Sequence, residues 1–153
     1  MKIMLDECMP PKASRLVVAL LKLHKPPIEA SFLADYMGKP GSADPDWANR
    51  LAHEGEWCVV TCDYKRPQGA KARAKGPPLH LILPSRKITA FFLGGKIAQA
   101  DGFEKVRAVL YLLPEIWERA TTAPIGTRFK ILRKGATAYQ ITPWPVRALL
   151  PMA

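Results

Sequence analysis

Three aspartates stand where the apolar character of the chain changes. Lys2-Ile3-Met4-Leu5 ends in Asp6-Glu7, Trp57-Cys58-Val59-Val60-Thr61-Cys62 ends in Asp63, and between them Asp44 opens a helical pattern. In a parallel α/β sheet, ligands bind just beyond the carboxyl ends of the strands, where acids from separate strands converge. Carboxylates at close quarters cannot all stay ionised unless a cation neutralises them. A hard divalent ion, Mg2+ or Mn2+, suits all-oxygen ligands. The pattern therefore points to a metal-dependent enzyme with a carboxylate-only centre. Thr61, two residues before Asp63 and on the same strand face, is suited to holding a metal-bound water or a phosphate oxygen.

Each acid also has a structural reading. Asp63 fits a turn. Asp44-Pro45 fits an N-cap followed by the first helical residue, and Asp46 in the first turn suits the helix dipole. Either Asp44 or Asp46 reaches the site as a third ligand if the helix start faces it. Glu7 points to the other face if the strand continues, which favours a supporting role. His24, His53 and His80 form no ligand pattern, and no P-loop, dinucleotide or hydrolase-elbow motif occurs.

The charge distribution adds a partner class. The net charge is +10, but residues 1–63 carry 9 acids and 7 bases, whereas residues 64–153 carry 4 acids and 16 bases. An acidic centre followed by a basic remainder suits a polyanion, nucleic acid before membrane. Lys65-Arg66 follows Asp63 directly, and Lys71, Arg73 and Lys75 extend the run. These five residues are expected to steer phosphates toward the metal. No apolar stretch approaches a membrane span and no signal peptide is expected. Cys8, Cys58 and Cys62, an odd set without zinc-type spacing, suggest a reducing cytoplasm; Cys58 and Cys62 read as small buried fillers.

The elements that must position these residues alternate. Strands are expected at Lys2–Leu5, Ile28–Leu33, Trp57–Cys62 and Ile88–Leu93. Helices are expected from Pro10-Pro11 with an apolar stripe of Leu16, Leu20 and Leu23, and from Asp44 to about Glu54. A short helix suits Pro77 to Arg86 slightly better than a strand. A long helix is expected at Phe103 to Arg119, with Val106, Leu110, Leu113 and Trp117 on helical spacing and Pro114 as a kink. Arg128–Leu132 and Ala138–Ile141 flank Lys134-Gly135 as a hairpin. At 153 residues this is one domain, with a core over about 1–120 and a hairpin extension over about 124–153. The order implies an α/β three-layer fold with a mainly parallel sheet.

Leu5-Asp6-Glu7-x-Met9-Pro10, Asp44-x-x-Trp47 and Val59-Val60-Thr61-x-Asp63 followed by Lys65-Arg66 together resemble PIN-like proteins, in particular VapC-type toxin ribonucleases. The resemblance spans about the first 95 residues. It implies a PIN-like fold, Mg2+- or Mn2+-dependent endoribonuclease activity on RNA, a cognate antitoxin protein, and room for a homodimer. It makes Asp6, Asp44 and Asp63 the acidic set. Relatives often carry Asn where this chain has Cys8, and generally present a fourth acid, for which Asp101 or Glu104 is the candidate here. Without that acid a non-catalytic nucleic-acid- or antitoxin-binding module gains. A receiver-type phosphorylation domain also uses acids after its first and third strands, but Gly94-Gly95 stands where its Ser or Thr belongs.

Overall fold

The computed structural model describes residues 1–62 and 77–145. Lys2–Leu5 (β1), Ala30–Phe32 (β2), Trp57–Thr61 (β3), Thr89–Leu93 (β4), Arg128–Lys134 (β5) and Ala138–Pro143 (β6) form one sheet in the order β2-β1-β3-β4-β5-β6. All pairings are parallel except the β5–β6 hairpin. The central strands β3 and β4 are buried along their whole length, as apolar strands covered on both faces must be. Edge strand β6 instead alternates buried and half-buried residues.

Helices cover both faces. Pro11–Leu21 (α1) and Gly102–Thr122 (α6) pack on one, while Asp44–Glu54 (α3) and Leu79–Ser85 (α4) pack on the other; Leu33–Met37 (α2) and Gly95–Ala98 (α5) are short. The two cores take alternate residues of the same strands. Ile3, Leu5, Cys58, Val60, Phe91 and Leu93 point toward α1 and α6. Met4, Val59, Ala90 and Phe92 point toward α3 and α4. The expected mainly parallel three-layer α/β fold with a C-terminal hairpin is the one observed.

Several local expectations are corrected. In α1 the buried residues are Ser14, Val17 and Leu21, and the expected stripe faces outward, with Leu16 58% and Leu23 75% exposed. Residues 16–21 are uninterrupted apolar, so spacing alone leaves the rotation of the helix undetermined. In α6 the packed stripe is Val106, Val109, Leu112, Ile116 and Ala120, and Leu110 turns partly to solvent. The second strand is only three residues long, because the chain enters α2 at Leu33. Cys62 is not a lone filler: it is joined to Cys8 as a disulfide with Cα atoms 5.9 Å apart. Cys58 alone keeps that role, and burial pushes its thiol up to about 12.

Candidate active site

In this sheet β2 lies to one side of β1 and β3 to the other. The chain passes from β1 to β2 on one side and from β3 to β4 on the other, and this reversal opens a crevice beyond the carboxyl ends of β1 and β3, the usual ligand position in such sheets. A cleft of about 370 Å3 occupies that place, lined by Asp6, Glu7, Cys8, Leu33, Ser42, Asp44, Trp47, Cys62, Ala98 and Lys105.

Asp6 reaches the cleft because β1 ends at Leu5 and the chain turns there, the Met9 amide donating to the Asp6 carbonyl at 3.0 Å. Its side chain is 8% exposed. The register pairs Leu5 with Val60, so the next residues, Asp6 and Thr61, stand side by side. The Thr61 hydroxyl donates to Asp6 Oδ2 at 2.6 Å, and the Glu7 amide donates to Asp6 Oδ1 at 2.6 Å. Cys8 Sγ lies 3.7 Å from Asp6 Oδ2 and 3.5 Å from Thr61 Oγ1.

Asp44 is the first residue of α3 rather than its N-cap, which is Ala43. Its Oδ1 accepts from the buried Trp47 indole N–H at 3.1 Å, on the next turn of the helix. The structure thus brings Asp6 and Asp44 to one cleft, and Asp46 is not among its lining residues. Glu7 does line it, because the turn after Asp6 ends the strand alternation. Both Glu7 carboxylate oxygens accept from the Gly41 amide, at 2.9 and 3.2 Å. Gly38, in the left-handed region at φ 75°, ends α2 and starts the loop that presents Gly41.

The two candidates for a fourth acid are engaged elsewhere. Asp101 caps α6, its Oδ1 accepting from the Glu104 amide at 2.9 Å. The Glu104 carboxylate binds Tyr139 Oη at 2.6 Å and Arg133 Nη2 at 2.6 Å. These donors, the Tyr139 hydroxyl first, hold the Glu104 carboxyl below its ordinary range. Asp63, Lys65, Arg66, Lys71, Arg73 and Lys75 lie outside the described residues.

Lys105 is a cleft residue that motif reading passes over. Its ammonium donates to the Cys8 carbonyl at 3.4 Å, from the first turns of α6. The approach depends on Gly102, where a Cβ would overlap the Pro10 ring. A glycine one residue after a capping aspartate is the only sequence trace of this contact.

The cleft carries oxygen donors of the kind a hard cation takes. Asp6 and Asp44 offer carboxylate oxygens, and Ser42 Oγ is buried there without a hydrogen-bond partner. This donor chemistry fits Mg2+ or Mn2+ better than a soft metal. Among the described residues no three His, Cys, Asp or Glu side chains group closely enough to hold a metal ion. The donor set of the described chain is therefore partial.

A family model described as a PIN like domain matches residues 1–77, a stretch that contains Asp6, Asp44 and Asp63. The chain belongs to the PIN-like domain family. PIN-like domains form a superfamily of nucleases. No curated protein and no solved structure matches the chain significantly. No helix among the described residues of this PIN-like domain is long and apolar enough to cross a membrane.

Proposed function

We propose that this PIN-like domain is a metal-dependent endoribonuclease, the toxin of a cytoplasmic toxin–antitoxin pair. The reading rests above all on the convergence of Asp6 and Asp44 on one cleft at the reversal point of the sheet. Asp6 and Asp44, completed by Asp63, would hold Mg2+ or Mn2+. When bound, such an ion polarises a phosphodiester and lowers the pKa of a bound water. The remaining work belongs to the chain. Thr61 fixes the orientation of Asp6 through its hydrogen bond. Ser42 supplies an unused hydroxyl to a ligand-bound water or phosphate oxygen. Lys105 sets a positive charge at the cleft wall, where a non-bridging phosphate oxygen gains from it. Lys65, Arg66, Lys71, Arg73 and Lys75 guide the RNA strand, and the net positive charge beyond residue 63 suits both RNA and an acidic antitoxin.

The test is cleavage of single-stranded RNA with and without Mn2+, together with calorimetric Mn2+ titration. Wild-type protein is expected to bind Mn2+ and cut RNA only in its presence, and Asp6→Asn to lose both. A folded wild-type protein that binds RNA but neither Mn2+ nor cuts would replace the nuclease by a binding module.

A further inference from the structure

We propose that Cys8 and Cys62 are a redox modification site: a reversible disulfide that clamps the floor of the cleft. The two residues are 54 apart in sequence, and the fold joins their sulfurs with Cα atoms 5.9 Å apart. The Cys62 amide also donates to Cys8 Sγ at 2.8 Å. Both residues line the same cleft as Asp6 and Asp44. The location is what gives the bond a consequence. Cys8 lies in the turn that carries Asp6, and Cys62 follows Thr61 at the end of β3. Closing the bond ties the outgoing ends of these two strands together, across the Asp6–Thr61 hydrogen bond. Opening it leaves two thiols that part to van der Waals distance and removes the covalent tie between the two strand ends.

The chain contains three cysteines, and their environments separate them. Cys58 is fully buried in the core. Cys8 is half-buried in a cleft open to solvent, where a small disulfide has access. Cys62 is 8% exposed behind it. The exchange therefore begins at Cys8. Its thiolate attacks a low-molecular-weight disulfide of the glutathione type, forming a mixed disulfide and expelling one glutathione thiolate. Cys62 then displaces the second glutathione thiolate and forms the intramolecular bond. Two protein thiols are oxidised, one glutathione disulfide is reduced to two thiols, and the two protons released from the cysteines pass through solvent to the departing thiolates. Access of solvent to Cys8 exposes one sulfur of the bond to exchange, unlike the bonds of closed cores.

This inference stands apart from the nuclease reading, since it is read without metal or RNA. Wild-type protein is equilibrated in glutathione buffers from fully oxidised to a roughly hundredfold excess of reduced glutathione over its disulfide. It is then acid-quenched, denatured and alkylated. Intact mass is expected to change from one alkyl adduct, on Cys58, to three, with a Cys8–Cys62 linked peptide in the oxidised sample. The oxidised form should melt about 10 °C higher, as expected for a bond closing a long loop. Cys8→Ser and Cys62→Ser proteins should melt alike in both buffers. Three adducts throughout, or glutathione trapped on Cys8, overturns the pairing. A single adduct that persists in the most reducing buffer overturns reversibility, and a linked protein with an unchanged melting point overturns the clamp.

Discussion

The Thr61 hydroxyl and the Asp6 carboxylate meet at 2.6 Å, joining the ends of β1 and β3 where the strand order reverses. The contact follows from register: with Leu5 opposite Val60, the next residues stand abreast. It gives Asp6, an acid buried at the sheet end, a fixed orientation. An acid held in this way keeps its carboxylate in one orientation, as a metal ligand requires.

Thr61→Val keeps the shape of the side chain and removes the donor. The prediction is a folded protein whose Mn2+ affinity or RNA cleavage falls by about 10- to 100-fold, the usual effect of losing a partner behind a metal ligand. Thr61→Ser, which restores the hydroxyl, should recover most of it. Calorimetric titration and a cleavage time course read the result, and an unchanged Thr61→Val protein would remove Thr61 from the site.

Asp44 has two duties that substitution can separate. Asp44→Asn removes the charge but keeps an acceptor for the Trp47 indole N–H. It should lose cleavage while its stability changes by less than about 1 kcal/mol. Asp44→Ala strips the acceptor from a buried donor and should cost about 1–3 kcal/mol as well. Urea unfolding alongside activity decides this. Full activity in a stable Asp44→Asn protein would reduce Asp44 to the anchor of Trp47.

Stability should fall in acid partly through Glu104. Its carboxyl is held low by the Tyr139 hydroxyl and then by Arg133, so the folded pKa lies below the unfolded one. Such a group contributes stability that is complete above the unfolded value, ordinarily about 4.3. That contribution is lost as pH falls through the depressed folded value. Glu54 acts in the same direction through Tyr36 and Trp57. Thermal melts between about pH 6 and pH 3 should therefore show a shallower decline for Glu104→Gln than for wild type. Parallel declines would show that this cluster does not contribute to the acid response.

Salt dependence reports on the basic run. Each phosphate contact on a single strand should contribute a slope of roughly 0.7 in log affinity per tenfold salt. In an Asp63→Asn background, replacing Lys65 and Arg66 by Ala should flatten the slope by about 1 to 1.5. Fluorescence anisotropy of labelled RNA at several salt concentrations measures it. An unchanged slope would move the RNA path away from these residues.

The chain sequence determined the layer architecture and the position of Asp6. Buried parallel strands require unbroken apolar runs, so Ile3–Leu5 and Trp57–Val60 are recognisable as strands, and an acid at the end of such a run must sit at the sheet's carboxyl edge. Helix existence was equally legible at Pro11 and Asp44, because proline in a first turn is a local signal. Helix rotation was not. Leu16-Val17-Val18-Ala19-Leu20-Leu21 offers apolar residues in every direction, and only packing against the sheet and α6 selected Val17 and Leu21 for the core. The same limit hid the cleft's other walls. Glu7 depends on a turn after Asp6, Lys105 on Gly102 lying against Pro10, and the Cys8–Cys62 pair on two strands becoming neighbours across 54 residues. These contacts are non-local: no spacing in the chain encodes them, because each exists only once crossovers have brought separate strand and helix ends to one side of the sheet.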